Sequence, residues 1–565
     1  MGIANTKDAA YQKERLRWLS LPNMEPELLT LLQNQTEQEV EDSFACQLAF
    51  GTGGLRGVLG AGTNRMNIYT VRKATQGLAN YLNASDLPKR VAIGYDSRIK
   101  STDFAQAAAS VLAANGIQAL LYPRLEPTPA LSFAVRQLCC GAGICVTASH
   151  NPAQYNGYKV YGADGCQVTL EAAETIQKEM AGVDVLMGAR FADFDEALEN
   201  GSIQWIAEEI LDEYLAAVKA ESLALPGDDT SLSVVYTPLH GAGRECVMRT
   251  LHDISVDVHM VKEQEMPDGH FPTCPYPNPE IPEAMALGLQ LCEKVQPDLL
   301  LATDPDCDRV GIAVPSPEGY VILSGNAVGE LLLDYVCTQR RLSGRMPEQP
   351  VAVTTIVSSA MASLLAKKHG IELRRTLTGF KFIGEQIGLL ESAGQATRFI
   401  FGFEESDGYL SGSYVRDKDG VNAALLICEM ARYHKRAGRT LWQALSELYL
   451  EFGYHHTELN SFSFPGLAGM QQMQEVMAAL RGNPPKTLGG KAVAEVLDYA
   501  AESTGLPKAD VLELRIVGGG KVMIRPSGTE PKMKAYLFTV AGSKDEAEEA
   551  AEQVRQELRE LGMEV

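Results

Sequence analysis

The alternation that decides the fold begins with the apolar run Arg90-Val-Ala-Ile-Gly-Tyr-Asp96, which predicts a short strand. The pattern from Phe104 to Asn115 predicts a helix, and Ile117-Gln-Ala-Leu-Leu-Tyr122 predicts a second strand. Because strand, helix and strand follow one another, this part of the chain is predicted to be a layered βαβ unit. Gly143 to Pro152 is the next strand and ends in a polar turn that presents Ser149. Sheets of this kind place functional loops at such strand ends.

The same alternation restarts twice, and the chain of 565 residues is too long for a single core. Leu232-Ser-Val-Val-Tyr-Thr237 opens a second unit, and Val351-Ala-Val-Thr-Thr-Ile-Val357 is a predicted strand of a third. The predicted domains are a helical extension at 1–40, α/β domains I to III at 41–205, 206–320 and 321–454, and a different C-terminal domain IV at 455–565.

Composition restricts the class of partner. The net charge of −22 argues against nucleic acid or an anionic membrane as partner, and no apolar run approaches the roughly 20 residues that span a bilayer. The N-terminus is polar, so a cytoplasmic enzyme is expected. The eleven scattered cysteines include no Cys-x-x-Cys pair, which disfavours a zinc site or a disulfide framework.

Ser149 is the candidate nucleophile, and our hypothesis is that it accepts and donates a phosphoryl group. A serine hydroxyl is a weak nucleophile that needs a positioned environment, and most serines only cap helices or fill turns. Three sites further along the chain favour the chemical interpretation, because each suits a phosphorylated ligand.

The first of these is Asp304-Pro-Asp-Cys-Asp-Arg309, directly after the apolar run Asp298 to Thr303. Three carboxylates at alternate positions can converge on one hard cation such as Mg²⁺. An EF-hand calcium loop is excluded, because Arg309 occupies the position of the required Gly and Pro315 that of the required Glu. A solvated acidic turn is the alternative.

The second site is Glu404 and Ser406, which are two residues apart after a predicted strand. In an extended backbone they would face the same way and could bind sugar hydroxyls. The third is Arg525-Pro-Ser-Gly-Thr-Glu-Pro-Lys532, whose Arg, hydroxyls and glycine describe a phosphate cradle.

Other phosphate-binding and hydrolase motifs are missing from the sequence. The glycine-rich Phe50-Gly-Thr-Gly-Gly-Leu-Arg-Gly57 places Arg56 where a dinucleotide fingerprint needs its third glycine, and a plain turn is an equal alternative. Neither a P-loop nor a G-x-S-x-G motif is present, which disfavours P-loop NTPases and α/β-hydrolases.

Taken together, the motifs resemble the α-D-phosphohexomutase family, and within it the phosphoglucomutases. The likeness covers nearly the whole chain after residue 40, in the family's order. It rests on Thr147-Ala-Ser-His-Asn-Pro152, Asp304-Pro-Asp-Cys-Asp-Arg309, Gly402-Phe-Glu-Glu-Ser406 and Arg525-Pro-Ser-Gly-Thr529.

The resemblance implies an α/β fold of four domains around a central cleft, three related α/β units and a smaller α+β domain with an antiparallel sheet. It also implies residue functions. The expected catalytic residues are Ser149, Arg56, His150, Lys159 and Lys418. The expected Mg²⁺ ligands are Asp304, Asp306 and Asp308, completed by a phosphate oxygen on Ser149. The expected substrate contacts are Thr378, Gly379, Glu404, Ser406, Arg309, Arg525, Ser527, Gly528 and Thr529.

The implied reaction interconverts glucose 1-phosphate and glucose 6-phosphate through phosphoserine, with glucose 1,6-bisphosphate as intermediate and activator. Phosphomannomutase or phosphopentomutase activity is the alternative on the same scaffold. A non-catalytic sugar-phosphate-binding protein and a metal-dependent phosphatase are alternatives from other classes. A monomer or small homo-oligomer is expected.

Proton transfer is expected to involve Lys159, provided that neighbouring cations depress its pKa. Some relatives carry a His two residues after the sugar-contacting Ser. Here that position is Gly408, so that function cannot be carried over.

Overall fold

The computed structural model describes residues 4–51, 53–225, 227, 230–464, 466–501, 504–526 and 532–563. Within these ranges, no helix combines the length and the apolar character that crossing a membrane requires.

Three helices precede the first sheet: α1 (Ala4–Leu19), α2 (Pro26–Asn34) and α3 (Glu37–Phe44). Trp18 is fully buried and packs edge-on against Phe44 at 5.6 Å and Tyr69 at 5.4 Å between ring centroids. The segment is thus held on the first unit by a small aromatic core.

The first unit has six strands and five helices. Its strands are β1 (Gly54–Val58), β2 (Arg90–Tyr95), β3 (Gln118–Leu121), β4 (Ala142–Val146), β5 (Tyr155–Gly162) and β6 (Ile203–Trp205), and its helices are α4 (Ile68–Asn83), α5 (Ser101–Ala114), α6 (Thr128–Gln137), α7 (Leu170–Ala181) and α8 (Phe194–Glu199). The strand order is β1-β5-β4-β2-β3-β6.

The second unit is a five-stranded sheet in the order β11-β10-β9-β7-β8. Its elements are α9 (Glu208–Ala220), β7 (Leu232–Thr237), α10 (Gly243–Asp253), β8 (Val256–Met260), α11 (Pro282–Val295), β9 (Leu299–Thr303), β10 (Val310–Ser316) and β11 (Gly319–Leu323).

The third unit is a four-stranded sheet in the order β13-β12-β14-β15. Its elements are α12 (Gly325–Leu342), β12 (Val351–Thr355), α13 (Met361–His369), β13 (Glu372–Thr376), α14 (Phe380–Ser392), β14 (Phe399–Glu404), β15 (Gly408–Leu410), α15 (Gly420–Arg436) and α16 (Leu441–Phe452). The strand predicted up to Val357 ends at Thr355, because Ile356 and Val357 leave the sheet and join an apolar cluster with the fourth unit.

The three sheets share one topology. In each, a central strand (β2, β7 or β12) pairs in parallel with the next strand on one side and with a third strand (β4, β9 or β14) on the other. The third strand pairs antiparallel with a fourth (β5, β10 or β15). The central and third strands are parallel neighbours, so the loops after them meet at one edge of the sheet.

This topology places three of the four motifs at equivalent positions. Ser149 follows β4, Asp304 follows β9, and Glu404 is the last residue of β14. We call these the third-strand loops, and the loops after β2, β7 and β12 the central-strand loops.

The fourth unit is an antiparallel sheet in the order β16-β21-β20-β19-β18-β17. Its elements are β16 (Tyr454–Ser463), α17 (Gly466–Gly482), β17 (Thr487–Leu488), β18 (Lys491–Asp498), β19 (Leu512–Ile516), β20 (Lys521–Pro526), β21 (Lys532–Ala541) and α18 (Lys544–Glu560). The predicted fold class, three related α/β units with a C-terminal α+β domain, is confirmed.

Candidate active site

The Ser149 loop is held by hydrogen bonds from its own turn. Thr147 Oγ1 accepts from the backbone N–H of Ser149 at 2.8 Å and donates to Asp96 Oδ2 at 2.6 Å. Ser149 has φ +52°, the left-handed region that non-glycine residues rarely adopt, and its side chain is buried. Its Oγ donates to Asp304 Oδ2 at 2.8 Å and lies 3.2 Å from His150 Nδ1.

Arg98 clamps this loop from the neighbouring central-strand loop. Its guanidinium donates to the carbonyl oxygens of Pro152 at 2.9 Å and Tyr155 at 3.0 Å, and also to those of Ser149 and Asn151. Its Nε lies 3.4 Å from Asp96 Oδ2, and both side chains are buried. No function was predicted for Arg98. The signal was available, since Asp96-Ser-Arg98 directly follows a buried strand next to the one that delivers Ser149.

The three aspartates after β9 form the candidate metal centre. Asp304, Asp306 and Asp308 are buried, and each offers a carboxylate oxygen within 4.8 Å of the others. Asp304 Oδ1 accepts from the backbone N–H groups of Asp308 and Arg309, each at 3.1 Å, which fixes the loop.

The donor set fits a divalent cation. Among the described residues, no hydrogen-bond donor reaches the buried Asp306 Oδ1 or Asp308 Oδ1. Burial and the two neighbouring carboxylates raise the pKa of Asp304 well above its usual value. Buried carboxylates of this kind are stable when they are paired or coordinate a metal. The two oxygens without a hydrogen-bond donor and the mutual repulsion of the three carboxylates therefore support cation binding.

Two lysines lie against these carboxylates. Lys159 Nζ is 3.0 Å from Asp306 Oδ2 and 3.7 Å from Asp308 Oδ2. Lys418 Nζ is 3.1 Å from Asp308 Oδ2 and 3.2 Å from Asp417 Oδ1. Both therefore stand beside the triad rather than in open solvent.

The expected depression of the Lys159 pKa is wrong. Burial by itself lowers that pKa, but the carboxylates of Asp306 and Asp308 outweigh burial and raise it above its ordinary value. The pKa of Lys418 is raised in the same way, mainly by Asp308 and Asp417 against the effect of burial. Both lysines are thus positively charged near neutral pH.

Two residues for which no function was predicted, Thr128 and Asp417, contact the triad and Lys418 directly. Thr128, at the start of α6, donates through its hydroxyl to Asp306 Oδ2 at 3.1 Å and through its N–H to the Asp306 carbonyl at 2.9 Å. Asp417 Oδ2 accepts from the hydroxyl of Tyr161 at 2.7 Å. Neither contact has a local sequence signal, because each joins different units.

The remaining basic candidates surround Ser149. The side chain of Arg56 is exposed, and its Nη1 donates to Asn151 Oδ1 at 3.2 Å. Burial, with the guanidinium groups of Arg309 and Arg56, lowers the pKa of His150 well below its usual value. The imidazole is therefore neutral at physiological pH.

The motif Gly402-Phe-Glu-Glu-Ser406, which we call the sugar motif, differs in structure from the sequence-based expectation. Glu404 ends β14, whereas Ser406 lies in a turn that continues to Asp407, a residue with φ +58°. The premise of an extended backbone through Ser406 is therefore wrong. Arg309 spans from the metal loop to this turn, because its Nη1 donates to the Ser406 carbonyl at 3.2 Å and to Glu280 Oε1 at 2.9 Å.

Glu404 is buried and accepts a hydrogen bond from the backbone N–H of Gly379 at 3.0 Å. Gly379 has φ +118°, which favours glycine, and Thr378 beside it is half-buried. Burial raises the pKa of Glu404 to about 7, against the opposing effect of Lys418. The loop Thr378–Gly379 and the sugar motif are thus brought together.

The phosphate motif begins at the end of β20. Arg525 is half-buried there, whereas Ser527, Gly528 and Thr529 lie outside the described residues. Burial raises the pKa of Tyr536 to about 12, with Glu405 and Glu404 adding to the shift and Arg525 opposing it. Residues of the sugar motif and Arg525 therefore all lie within electrostatic range of the Tyr536 side chain.

Comparison with known proteins places the chain in a family. The phosphoglucomutase/phosphomannomutase alpha/beta/alpha models match residues 47–185 for domain I, 212–318 for domain II and 324–452 for domain III. A Staphylococcus aureus protein named phosphoglucomutase is 37% identical over 521 residues, which cover 89% of this chain and 92% of that protein.

Solved structures share the fold. A Thermus thermophilus structure has a TM-score of 0.70 at 23% identity, covering 91% of this chain and 99% of its own. The open form of pp63/parafusin, a phosphoglucomutase from Paramecium, has a TM-score of 0.65 at 19% identity, covering 91% and 94%. The resemblance predicted from four motifs is confirmed, and the chain belongs to the phosphoglucomutase/phosphomannomutase family.

Proposed function

We propose that this protein is a phosphoglucomutase that interconverts glucose 1-phosphate and glucose 6-phosphate through phosphorylated Ser149. The observation that carries the proposal is the 2.8 Å hydrogen bond from Ser149 Oγ to Asp304 Oδ2, which joins the nucleophile to the carboxylate triad. The relative named phosphoglucomutase matches the chain along nearly its whole length, which supports the choice of glucose.

Each transfer moves one phosphoryl group and one proton. The bond between phosphorus and Ser149 Oγ breaks as a sugar hydroxyl oxygen bonds to phosphorus, which forms glucose 1,6-bisphosphate. The proton of that hydroxyl ends on Ser149 Oγ. We assign the transfer of this proton to His150, because His150 Nδ1 lies 3.2 Å from Ser149 Oγ. The second transfer runs in reverse on the other phosphate, after the bisphosphate has turned around, and it restores phosphorylated Ser149.

The carboxylates of Asp304, Asp306 and Asp308, with a phosphate oxygen on Ser149, would hold a divalent cation, which we propose is Mg²⁺. Bound there, the cation supplies charge neutralisation for the transferring phosphoryl group. Lys159 and Lys418, both protonated beside the triad, supply further positive charge. Arg56, exposed near Asn151, adds a further cation.

Orientation of the sugar depends on the other two motifs. Glu404, with Ser406, Thr378 and Gly379 nearby, would accept and donate hydrogen bonds to sugar hydroxyls. Arg525, with Ser527, Gly528 and Thr529, would hold the phosphate that does not react. Such an anchor makes the transfer effectively intramolecular, and it must accept either end of the sugar, since the bisphosphate turns around.

A coupled mutase assay tests the proposal. Glucose, mannose, glucosamine and ribose 1-phosphates are compared with Mg²⁺, with and without glucose 1,6-bisphosphate. We expect the highest kcat/KM with glucose 1-phosphate and activation by the bisphosphate. Preference for mannose or ribose 1-phosphate would overturn the substrate, and release of inorganic phosphate without isomerised sugar would overturn the mutase reaction.

A further inference from the structure

The loop Ile356–Ala360 is the central-strand loop of the third unit, and it supports the sugar motif. Thr355 Oγ1 and Ser358 Oγ donate to Glu405 Oε2 at 2.9 and 3.1 Å. Arg98 supports the Ser149 loop from the equivalent position in the first unit. The position of the sugar motif therefore depends on where Ile356–Ala360 lies.

The third unit holds this loop through Arg375 in β13. Its Nη1 donates to the carbonyl oxygens of Thr355 at 3.0 Å and Ser358 at 3.2 Å, and its Nη2 donates to that of Ser359 at 2.8 Å. These bonds leave the carbonyl of Ile356 to a donor from elsewhere.

That donor belongs to the fourth unit. The buried Lys521 Nζ donates to the Ile356 carbonyl at 2.5 Å and lies 4.6 Å from the ring centroid of Phe538. Lys521 is the first residue of β20, and Arg525 lies near the other end of the same strand. One strand thus carries both the contact to the support loop and the first residue of the phosphate motif.

Apolar packing accompanies this contact between the two units. Ile356, Val357 and Leu377 pack with Met523, Tyr536 and Phe538 in a small cluster, but a cavity of about 620 Å³ opens beside it, lined by Ile356, Arg375 and Lys521. A directional hydrogen bond adds a fixed register to such apolar packing, and burying an ammonium group is costly unless the group is paired or hydrogen-bonded.

We propose that Lys521 is a positioning residue that docks the fourth unit on the loop Ile356–Ala360 and so aligns Arg525 with the sugar motif. The inference rests on the proposed function, since it assumes that Arg525 and Glu404 act on the same sugar phosphate. Lys521 acts through Ile356 and Glu405 and does not itself contact the substrate.

A double-mutant cycle tests the inference, with Lys521→Met, Glu405→Gln and the two combined. We expect Lys521→Met to raise the KM for glucose 1-phosphate about tenfold with a smaller fall in kcat, because the phosphate anchor is misplaced. The kcat/KM of the combined variant should be no lower than that of the less active single variant. If the two single effects on kcat/KM multiply in the combined variant, Lys521 and Glu405 act independently. That result would overturn the proposed relay from Lys521 through Ile356 to Glu405.

Arg515→Gln is the matched control, because Arg515 lines the same cavity but donates hydrogen bonds to Glu495 and Glu513, which lie in its own sheet. It should combine with Glu405→Gln multiplicatively. Thr355→Val is a second probe from the other end of the relay and leaves the fourth unit untouched. A KM unchanged by Thr355→Val would also count against the relay.

Amide hydrogen exchange gives a readout that does not depend on activity. We expect faster exchange at residues 404–406 in Lys521→Met than in the parent protein, with exchange in the Ser149 loop unchanged. Unchanged exchange at 404–406 would refute the inference even if the protein lacked mutase activity, whereas an inactive parent protein with the expected exchange would refute the proposed function alone.

Discussion

Gly408 lies directly against the stem of Lys418. A Cβ placed on Gly408 would fall 2.2 Å from Lys418 Cδ and 2.8 Å from its Cγ. The bare backbone at this position therefore makes room for the lysine that reaches Asp308. The sequence shows only that a His present in some relatives is missing here, whereas the structure shows what occupies the space.

Gly408→Ala should displace Lys418 and lower kcat by about 10- to 100-fold without unfolding the protein, because the contact between Nζ and Asp308 is lost. Gly388→Ala is the matched control. Its added Cβ would meet no atom within 4 Å, and the residue lies inside α14, so the substitution should stabilise by about 0.5–1 kcal/mol. Wild-type kcat in Gly408→Ala would show that Lys418 has no kinetic function.

Ser149→Ala should abolish turnover and phosphoprotein formation. It removes one hydrogen bond to Asp304, worth about 1 kcal/mol, so the fold should persist. Ser97→Ala nearby is the control, because no hydrogen-bond partner of Ser97 Oγ is found among the described residues. Steady-state kinetics and intact-protein mass spectrometry are the measurements. Near-normal mutase activity in Ser149→Ala would contradict the assignment of the nucleophile.

Asp306→Asn should weaken Mg²⁺ binding at least about tenfold, because it removes a charged oxygen from the triad and leaves Lys159 without its nearest carboxylate. Calorimetric titration with Mg²⁺ measures the affinity. Asp298→Asn, at the other end of the same strand region and paired with Lys435, should leave the affinity unchanged. Equal affinities in the two variants would remove Asp306 from the metal site.

Arg98→Lys should lower the free energy of unfolding by about 2–4 kcal/mol and slow the phosphorylation of Ser149, because one ammonium cannot replace a guanidinium that donates to four carbonyl groups. Arg90→Lys, an exposed residue at the start of β2, is the control. Chemical denaturation and single-turnover phosphorylation report the two effects. Unaltered phosphorylation in a destabilised protein would limit Arg98 to a structural function.

Lys521 predicts a pH dependence of stability. Its pKa is lowered to about 7, mainly by burial and also by Arg375 and Arg515, against the opposing effects of Glu513 and Glu405. The ordinary value is about 10.4, so between these values the unfolded chain binds more protons and the contribution of Lys521 to stability rises with pH. The charged form of buried Lys521 destabilises the folded protein. This effect is fully present below pH 7 and is lost as pH rises towards 10.

The thermal midpoints of the parent protein and of Lys521→Met are measured from pH 6.5 to 9.5. The difference between the two midpoints should change with pH. The thermal midpoint of Lys521→Met relative to that of the parent protein should be highest at pH 6.5, and the difference should shrink as pH rises. Lys491→Met, at an exposed position of β18, is the matched control for the loss of one lysine. A pH-independent difference for Lys521→Met would mean that Lys521 ionises normally in the folded protein.

Local sequence pattern was sufficient to predict the α/β class and the loops that carry Ser149, Asp304 and Glu404. The antiparallel C-terminal domain was predicted from the family resemblance. Each of these loops follows a buried strand, and a short continuous apolar run that stops at polar residues indicates both the strand and its end. Carboxylates at alternate positions likewise announce a cation site, since their spacing is a property of the loop itself.

Only the tertiary structure decided which residues hold these loops and in what electrostatic state. Tyr161 and Asp417 are 256 residues apart, and Lys521 meets Ile356 across 165 residues. The raised pKa of Lys159 depends on Asp306 and Asp308, from another unit. Hydrogen bonds and charge pairs between distant residues depend on how the units pack against one another, and that packing leaves no periodic trace in the chain.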